Sequence, residues 1–250
     1  EFNSTAEIAL AASFPNIRVM SVPRNYSYYK TWPETPRAGS WDGPVNRVDW
    51  FSAVCWHYGL WIHQKTGRPI GLLGSVWGGT YIEAFSSSDA LNNCSCHAGN
   101  RSSATSPQNF PSALWRTMIN PLRYMQFSSA IWYQGEANAG APTCYSCMLP
   151  AMVSDWRVKF GQRLPFGVVQ LGTWNGTYLD SVAVFRKMQV DTANKMVDTF
   201  CATAADLGDI HSPSGPIHPR QKRVVGERLA KAGSQFAGRT GILGRGPEVQ

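Results

Sequence analysis

The sequence predicts an α/β protein whose parallel sheet is covered by helices on both faces. Strand-like and helix-like segments alternate about five times along the chain. The strand-like runs are continuously apolar, as strands buried on both faces must be, rather than alternating. The chain has 250 residues, 43% hydrophobic and 12% aromatic, which is enough to bury a substantial core.

Each element has its own signal. Residues 17–22 read as a short buried strand, and 23–49, rich in Pro, Gly and Trp, as a long irregular connection. From 50 to 66 apolar residues fall at 51, 54, 55, 58, 61 and 62, a helical period. Residues 69–76 form a compact apolar strand, and the Ser/Asn/Gly-rich stretch 86–112 a loop. A helix over 113–125 is expected to break near Pro121. There follow a strand over 129–134, a helix over 148–160, a strand over 166–171, a helix over 181–194 and a strand over 199–205. The last helix spans 218–232, with Pro219 in its first turn, where proline is tolerated. Residues 233–250 are Gly-rich, basic and aperiodic, and read as a disordered tail outside a domain of residues 1–232.

Composition excludes several classes. No apolar run approaches the roughly 20 residues of a membrane-spanning helix, so no membrane span is expected. The net charge is +7, but residues 218–250 alone carry seven Lys/Arg against two Glu. A surplus confined to one end is not the basic face that nucleic acid requires. The six cysteines (55, 94, 96, 144, 147 and 201) are even in number, which fits disulfides in an oxidising compartment. Cys94-x-Cys96 lacks zinc-ligand spacing, so no metal is expected. Five Asn-x-Ser/Thr sites, at Asn3, Asn25, Asn93, Asn100 and Asn175, point the same way as the cysteines, towards glycosylation and a lysosomal or secreted location.

Three segments carry chemistry. In the run from Gly71 to Thr80, a strand leads directly into Gly78-Gly79, where paired glycines allow close backbone approach and offer N–H groups to an anion. The Gly-Lys-Ser/Thr of a phosphate loop is absent. In Ile131-Trp-Tyr-Gln-Gly-Glu-Ala-Asn138 a strand again ends in polar groups, and Gln134, Glu136 and Asn138 fall where they could meet a ligand or an oxyanion. In Ile217-His218-Pro219-Arg220 a histidine sits at a loop–helix junction, as a positioned general base should. His211 is a weaker rival, and Asp206 or Asp209 could orient an imidazole. An acid three residues before His218 would serve better, but that position is Gly215.

Together these segments resemble the sialate O-acetylesterase family of the SGNH-type esterases. The matching stretches are Ser52-Ala-Val-Cys-Trp56, Pro69-Ile-Gly-Leu-Leu with Trp77-Gly-Gly-Thr80 and Ile82-Glu-Ala84, Ile131-Trp-Tyr-Gln-Gly-Glu136, and Ile217-His-Pro-Arg220. The resemblance implies a three-layer, flavodoxin-like core and cofactor-free hydrolysis of O-acetyl esters of sialic acid, the 9-O-acetyl ester foremost. It assigns His218 as general base, with Asp209 as its substitute acid unless a Ser–His pair suffices. Gly78 or Gly79, with Gln134 and Asn138, are the implied oxyanion and substrate groups. The family's nucleophile lies in a Gly-Gln-Ser-Asn motif after the first strand, and no such motif occurs here. Phe2-Asn-Ser-Thr resembles the family just downstream of it. The chain is therefore expected to begin just after the nucleophile, to lack the first central strand and to be inactive alone. The other expectation is a non-catalytic sialoglycan-binding or decoy protein, with the stretch Tyr26–Trp32 stacking on sugar faces.

Overall fold

The structure, a computed structural model, describes residues 3–32, 48–94, 96, 106–173 and 179–237. Helix α1 (Ser4–Ala11) precedes strand β1 (Ile17–Ser21), and α2 (Ala53–Thr66) precedes β2 (Ile70–Gly74). Short helices α3 (Ile82–Phe85) and α4 (Ser88–Asn92) follow, then β3 (Ala130–Trp132), α5 (Pro142–Phe160), β4 (Phe166–Gln170), α6 (Leu179–Lys195), β5 (Thr199–Thr203) and α7 (Lys222–Ala237). No described helix is long and apolar enough to cross a membrane.

All paired strands are parallel. β1 runs beside β2, from Ile17 opposite Ile70 to Ser21 opposite Gly74, and β4 lies between β3 and β5. Helices cover both faces of the second sheet. Val168 of β4 packs with α5 and α6 side chains such as Met152 and Phe185, while its neighbour Val169 packs with Tyr58 of α2 and Val225 of α7. That division follows from the two-residue period of a strand. The continuous apolar reading of 166–171 was thus the correct signal for a strand buried on both sides.

Helices α2 and α7 pack in close contact. A Cβ on Gly226 would lie 2.6 Å from the Val54 carbonyl and 2.8 Å from the His57 Cβ, so only glycine fits there. α2 itself is well delimited: the Ser52 Oγ accepts the Cys55 N–H at its start, and Gly67, at φ 68°, ends it with an N–H bond to the His63 carbonyl. This pair also spans the gap between the sheets, because β2 and β3 do not hydrogen-bond to each other among the described residues. The sheet is therefore divided in two, joined by side chains rather than by a ladder.

Several boundaries differ from the sequence reading. The expected helix over 113–125 is a π-helical turn, Trp115–Ile119, followed by a 3-10 turn, Asn120–Tyr124. Pro121, which has no N–H to give, sits where the winding changes. α5 begins at Pro142, six residues before its apolar period is legible; its first turns carry Thr143, Cys144 and Ser146 around a buried Tyr145. α4 interrupts the expected loop 86–112, capped by the Ser87 Oγ accepting the Ala90 N–H. α7 starts at Lys222, not 218, and continues through Gly233, whose bare Cα lets Phe200 approach. The part of the expected tail over 238–250 lies outside the described residues. α1 had no sequence signal, since its eight residues carry almost no apolar period.

Candidate active site

The carboxyl ends of the parallel strands share one side of each sheet, which is where ligands bind in open α/β folds. Three polar segments leave from those ends. The Gly78–Gly79 turn follows β2, Gln134–Asn138 follows β3, and the loop carrying His218 follows β5.

The first two are locked together by amides. The Gln134 Nε2 donates to the Thr80 carbonyl (2.9 Å) and to the Asn138 Oδ1 (2.8 Å). The same Asn138 oxygen accepts the Ile82 N–H at 3.1 Å, and the Asn138 Nδ2 donates to the Glu83 carboxylate at 3.0 Å. Asn138 and Glu83 are each only 3% exposed, so these are bonds in a dry setting, where a lost partner is costly. Behind them, the fully buried Gln189 of α6 takes the Leu171 N–H on its Oε1 and donates its Nε2 to the Gln134 carbonyl. Gly135 has φ 146°, and a Cβ there would stand 2.6 Å from the Phe185 ring; both demand glycine.

Gly79 has φ 71°, a left-handed conformation that favours glycine. Its carbonyl accepts from the Asn109 Nδ2, while the Asn109 Oδ1 takes the Tyr81 N–H, so one buried asparagine clamps both sides of the turn. Gly78 and Gly79 are exposed, and no described group accepts their N–H. Beside them the Arg24 Nε donates to the Val76 carbonyl at 3.3 Å, and the Tyr26 ring lies 6.4 Å from Trp77. The result is an aromatic and cationic edge next to free backbone donors.

His218 is exposed and held from its backbone. Its N–H donates to the Gly215 carbonyl (2.9 Å), closing a turn, and its own carbonyl accepts from the Ser212 Oγ (2.6 Å). Gly215 sits at φ 92°, which explains a glycine where an acid might have been wanted. The buried Pro219 packs by Gly172, just past β4. Asp209 binds Arg220, two residues beyond the histidine, through its backbone N–H and both ends of the guanidinium at 2.6 and 2.9 Å. That pairing holds its carboxyl down to about 2. Asp209 thus braces the His218 loop through Arg220. Asp206 is occupied in the same way by Arg228.

Glu136 opens the 3-10 turn Glu136–Asn138 after β3. Burial raises its carboxyl above the usual range, against backbone hydrogen bonds and the opposing pull of Lys222 and His218. Lys222, at the start of α7, lies over the Tyr133 ring at 5.0 Å. Ser75, the serine nearest in sequence to the glycine turn, donates to the Met118 carbonyl. No described serine hydroxyl bonds to the His218 ring.

Of the residues singled out from sequence, Gly78, Gly79, Gln134, Glu136, Asn138, Asp209 and His218 all lie in the segments leaving these strand ends. Sequence reasoning passed over Glu83, Asn109 and Gln189. Glu83 stood inside a quoted stretch, and a carboxylate in the apolar run Ile82–Phe85 was a usable signal; Asn109 and Gln189 had none. Of the sequon asparagines, Asn3, Asn25 and Asn93 are exposed, while Asn100 and Asn175 lie outside the described residues.

Residues 20–235 match the family described as carbohydrate esterase, sialic acid-specific acetylesterase. Sialate O-acetylesterases of Pongo abelii and Homo sapiens are each 35% identical over 253 residues, covering 91% of this chain and 48% of theirs. That of Mus musculus is 32% identical over 278 residues, covering 51% of its length. The chain thus spans about half the length of the curated relatives it matches. Among solved structures, a carbohydrate acetylesterase from Xanthomonas citri superposes with a TM-score of 0.78 at 32% identity, over 92% of this chain and 51% of that one.

Proposed function

Since the chain belongs to the sialic acid-specific acetylesterase family of carbohydrate esterases, we propose that it carries the base and anion-binding side of an enzyme that removes O-acetyl groups from sialic acid. The observation that supports this most is the presence of two features at the carboxyl ends of parallel strands, after β2 and after β5. One is a histidine fixed by its backbone at the mouth of the sheet; the other is an exposed glycine turn with unspent N–H groups.

In the proposed reaction His218 takes the proton of a serine hydroxyl as that oxygen attacks the acetyl carbonyl. The oxyanion accepts from the backbone N–H groups of Gly78 and Gly79, which are already oriented and need no reorganisation. The alcohol leaves with the proton from His218, and water then releases acetate by the same route. Both N–H groups of the Gln134 amide are committed to Thr80 and Asn138, so we assign Gln134 and Asn138 to positioning the turn. Asp209 acts on the base through Arg220 and the loop. The sugar lies along Tyr26 and Trp77, with its carboxylate towards Arg24. The attacking serine comes from sequence not included in these 250 residues, and the chain assayed alone does not turn over. Exposed sequons at Asn3, Asn25 and Asn93 and the Cys94–Cys147 disulfide favour the secretory pathway.

Acetate release from 9-O-acetylated sialic acid tests this. The chain is compared with a form extended by the codons upstream of Glu1. Turnover by the extended form alone is the expected result. Sugar binding without turnover by both forms would overturn it in favour of a binding protein.

A further inference from the structure

We propose that Cys96 and Cys144 form a second disulfide, outside the Cys94–Cys147 bridge. The contact that carries this is between the two residues themselves: the Cys144 thiol donates to the backbone carbonyl of Cys96. A carbonyl oxygen lies about 2.4 Å from its own Cα, given standard bond lengths. The exposed Cys96 therefore has its backbone in contact with the thiol it is to join.

The chain path agrees. Cys144 precedes Cys147 by three residues, about 4.5 Å along α5 and on the same helix face. Cys96 follows Cys94 by two residues, up to ~7 Å of chain. Cys94 and Cys147 are bonded with their Cα atoms 5.8 Å apart. With Cys94 tied to Cys147, two residues of chain keep Cys96 within reach of Cys144, so the inner bridge sets up the outer one. The other two cysteines are placed to remain thiols. Half-buried on α2, the Cys55 thiol is pushed up to about 12 by desolvation, and burial on β5 raises that of Cys201. Thiol–disulfide exchange proceeds through the thiolate, which both disfavour.

The oxidant is a disulfide of the exchange class, either a low-molecular-weight disulfide or the active-site disulfide of a thiol oxidoreductase. The Cys144 thiolate, having lost its proton to solvent, attacks one sulfur of the donor and displaces the other as a thiolate. The Cys96 thiolate then attacks Cys144 of the mixed disulfide and releases the donor's second sulfur. Two protein thiols are oxidised, one donor disulfide is reduced to two thiols, and two protons pass from protein to donor. The new bond fastens the loop after α4 to the first turn of α5, six residues beyond Asn138.

The full chain, secreted from eukaryotic cells, is denatured without reductant, alkylated and digested, and its linked peptides are sequenced by a fragmentation that cleaves S–S bonds. The expected result is alkylation at Cys55 and Cys201 only, with Cys96 joined to Cys144. Cys96→Ser is expected to add Cys144 to the alkylated set, to keep Cys94–Cys147, and to lower Tm by about 5 °C. Alkylation of Cys96 and Cys144 in the parent, or crossed pairing of Cys94 with Cys144, overturns the proposal. So does a Cys96→Ser variant in which Cys144 labels no more than before.

Discussion

Asn138→Asp is the sharpest probe of the buried amide frame. The substitution is nearly isosteric, and it keeps the oxygen that accepts from Ile82 and Gln134. It replaces the Nδ2, now 3.0 Å from the Glu83 carboxylate, with a second carboxylate oxygen. Two carboxylates at that distance in a site 3% exposed cannot both ionise, so the folded variant retains a proton that the unfolded chain releases near pH 4. A folded-state pKa raised by about 2 units costs about 2.7 kcal/mol once the pH exceeds it. The sign is definite: the pair is stable below about pH 4, where both states are protonated, and the deficit grows as pH rises through the folded pKa. For a domain of this size that deficit is a Tm loss of roughly 5–10 °C at pH 7, and almost none at pH 4. Thermal unfolding of parent and variant from pH 4 to pH 8 reads it directly. A deficit independent of pH would refute the reasoning, because it would mean that Asn138 contributes only a neutral hydrogen bond.

Three further outcomes follow from other parts of the molecule. Gly226→Ala should gain up to about 1 kcal/mol in helix propensity, yet its Cβ meets the Val54 carbonyl at 2.6 Å. Backbone cannot step aside, so the net is a loss of about 2 kcal/mol, seen as a lower urea midpoint. Burial lowers the pKa of His57, which faces Glu7, Arg223 and Glu227 between α1, α2 and α7. Stability is complete above pH 6.5 and falls as pH drops through the folded pKa; His57→Gln should flatten that slope in a pH series of Tm. Arg24→Ala in the active, extended form should raise KM for acetylated sialic acid about tenfold and leave hydrolysis of an uncharged aryl acetate unchanged.

The sequence was most informative where a side-chain period or a strand end carried the signal. The run 166–171 gave a strand buried on both faces because Val168 packs against α5 and α6 while Val169 packs against α2 and α7. Gly78-Gly79 and Ile217-His218 were legible because positive-φ turns and a histidine before proline are local features. What escaped depended on distant partners. Nothing near Gln189 says that its amide reaches from α6 to the Gln134 carbonyl, and Asn109 clamps a turn 30 residues earlier in the chain. The start of α5 was hidden because Thr143, Cys144 and Ser146 interrupt the apolar period around Tyr145. The division of the sheet was hidden too, since strand pairing is a property of two segments rather than of one. The role expected of Gln134 shifted for a similar reason: its donors face Thr80 and Asn138, and only the structure shows them already engaged.

The proposed chemistry depends on His218 as the base. The direct measurement is acetate release from 9-O-acetylated sialic acid by the extended form carrying His218→Ala, alongside Asp209→Asn. His218→Ala is expected to lose roughly 10²–10⁴ in kcat with sugar affinity preserved, and Asp209→Asn, which acts through Arg220 and the loop, to lose less. Undiminished turnover after His218→Ala would contradict it.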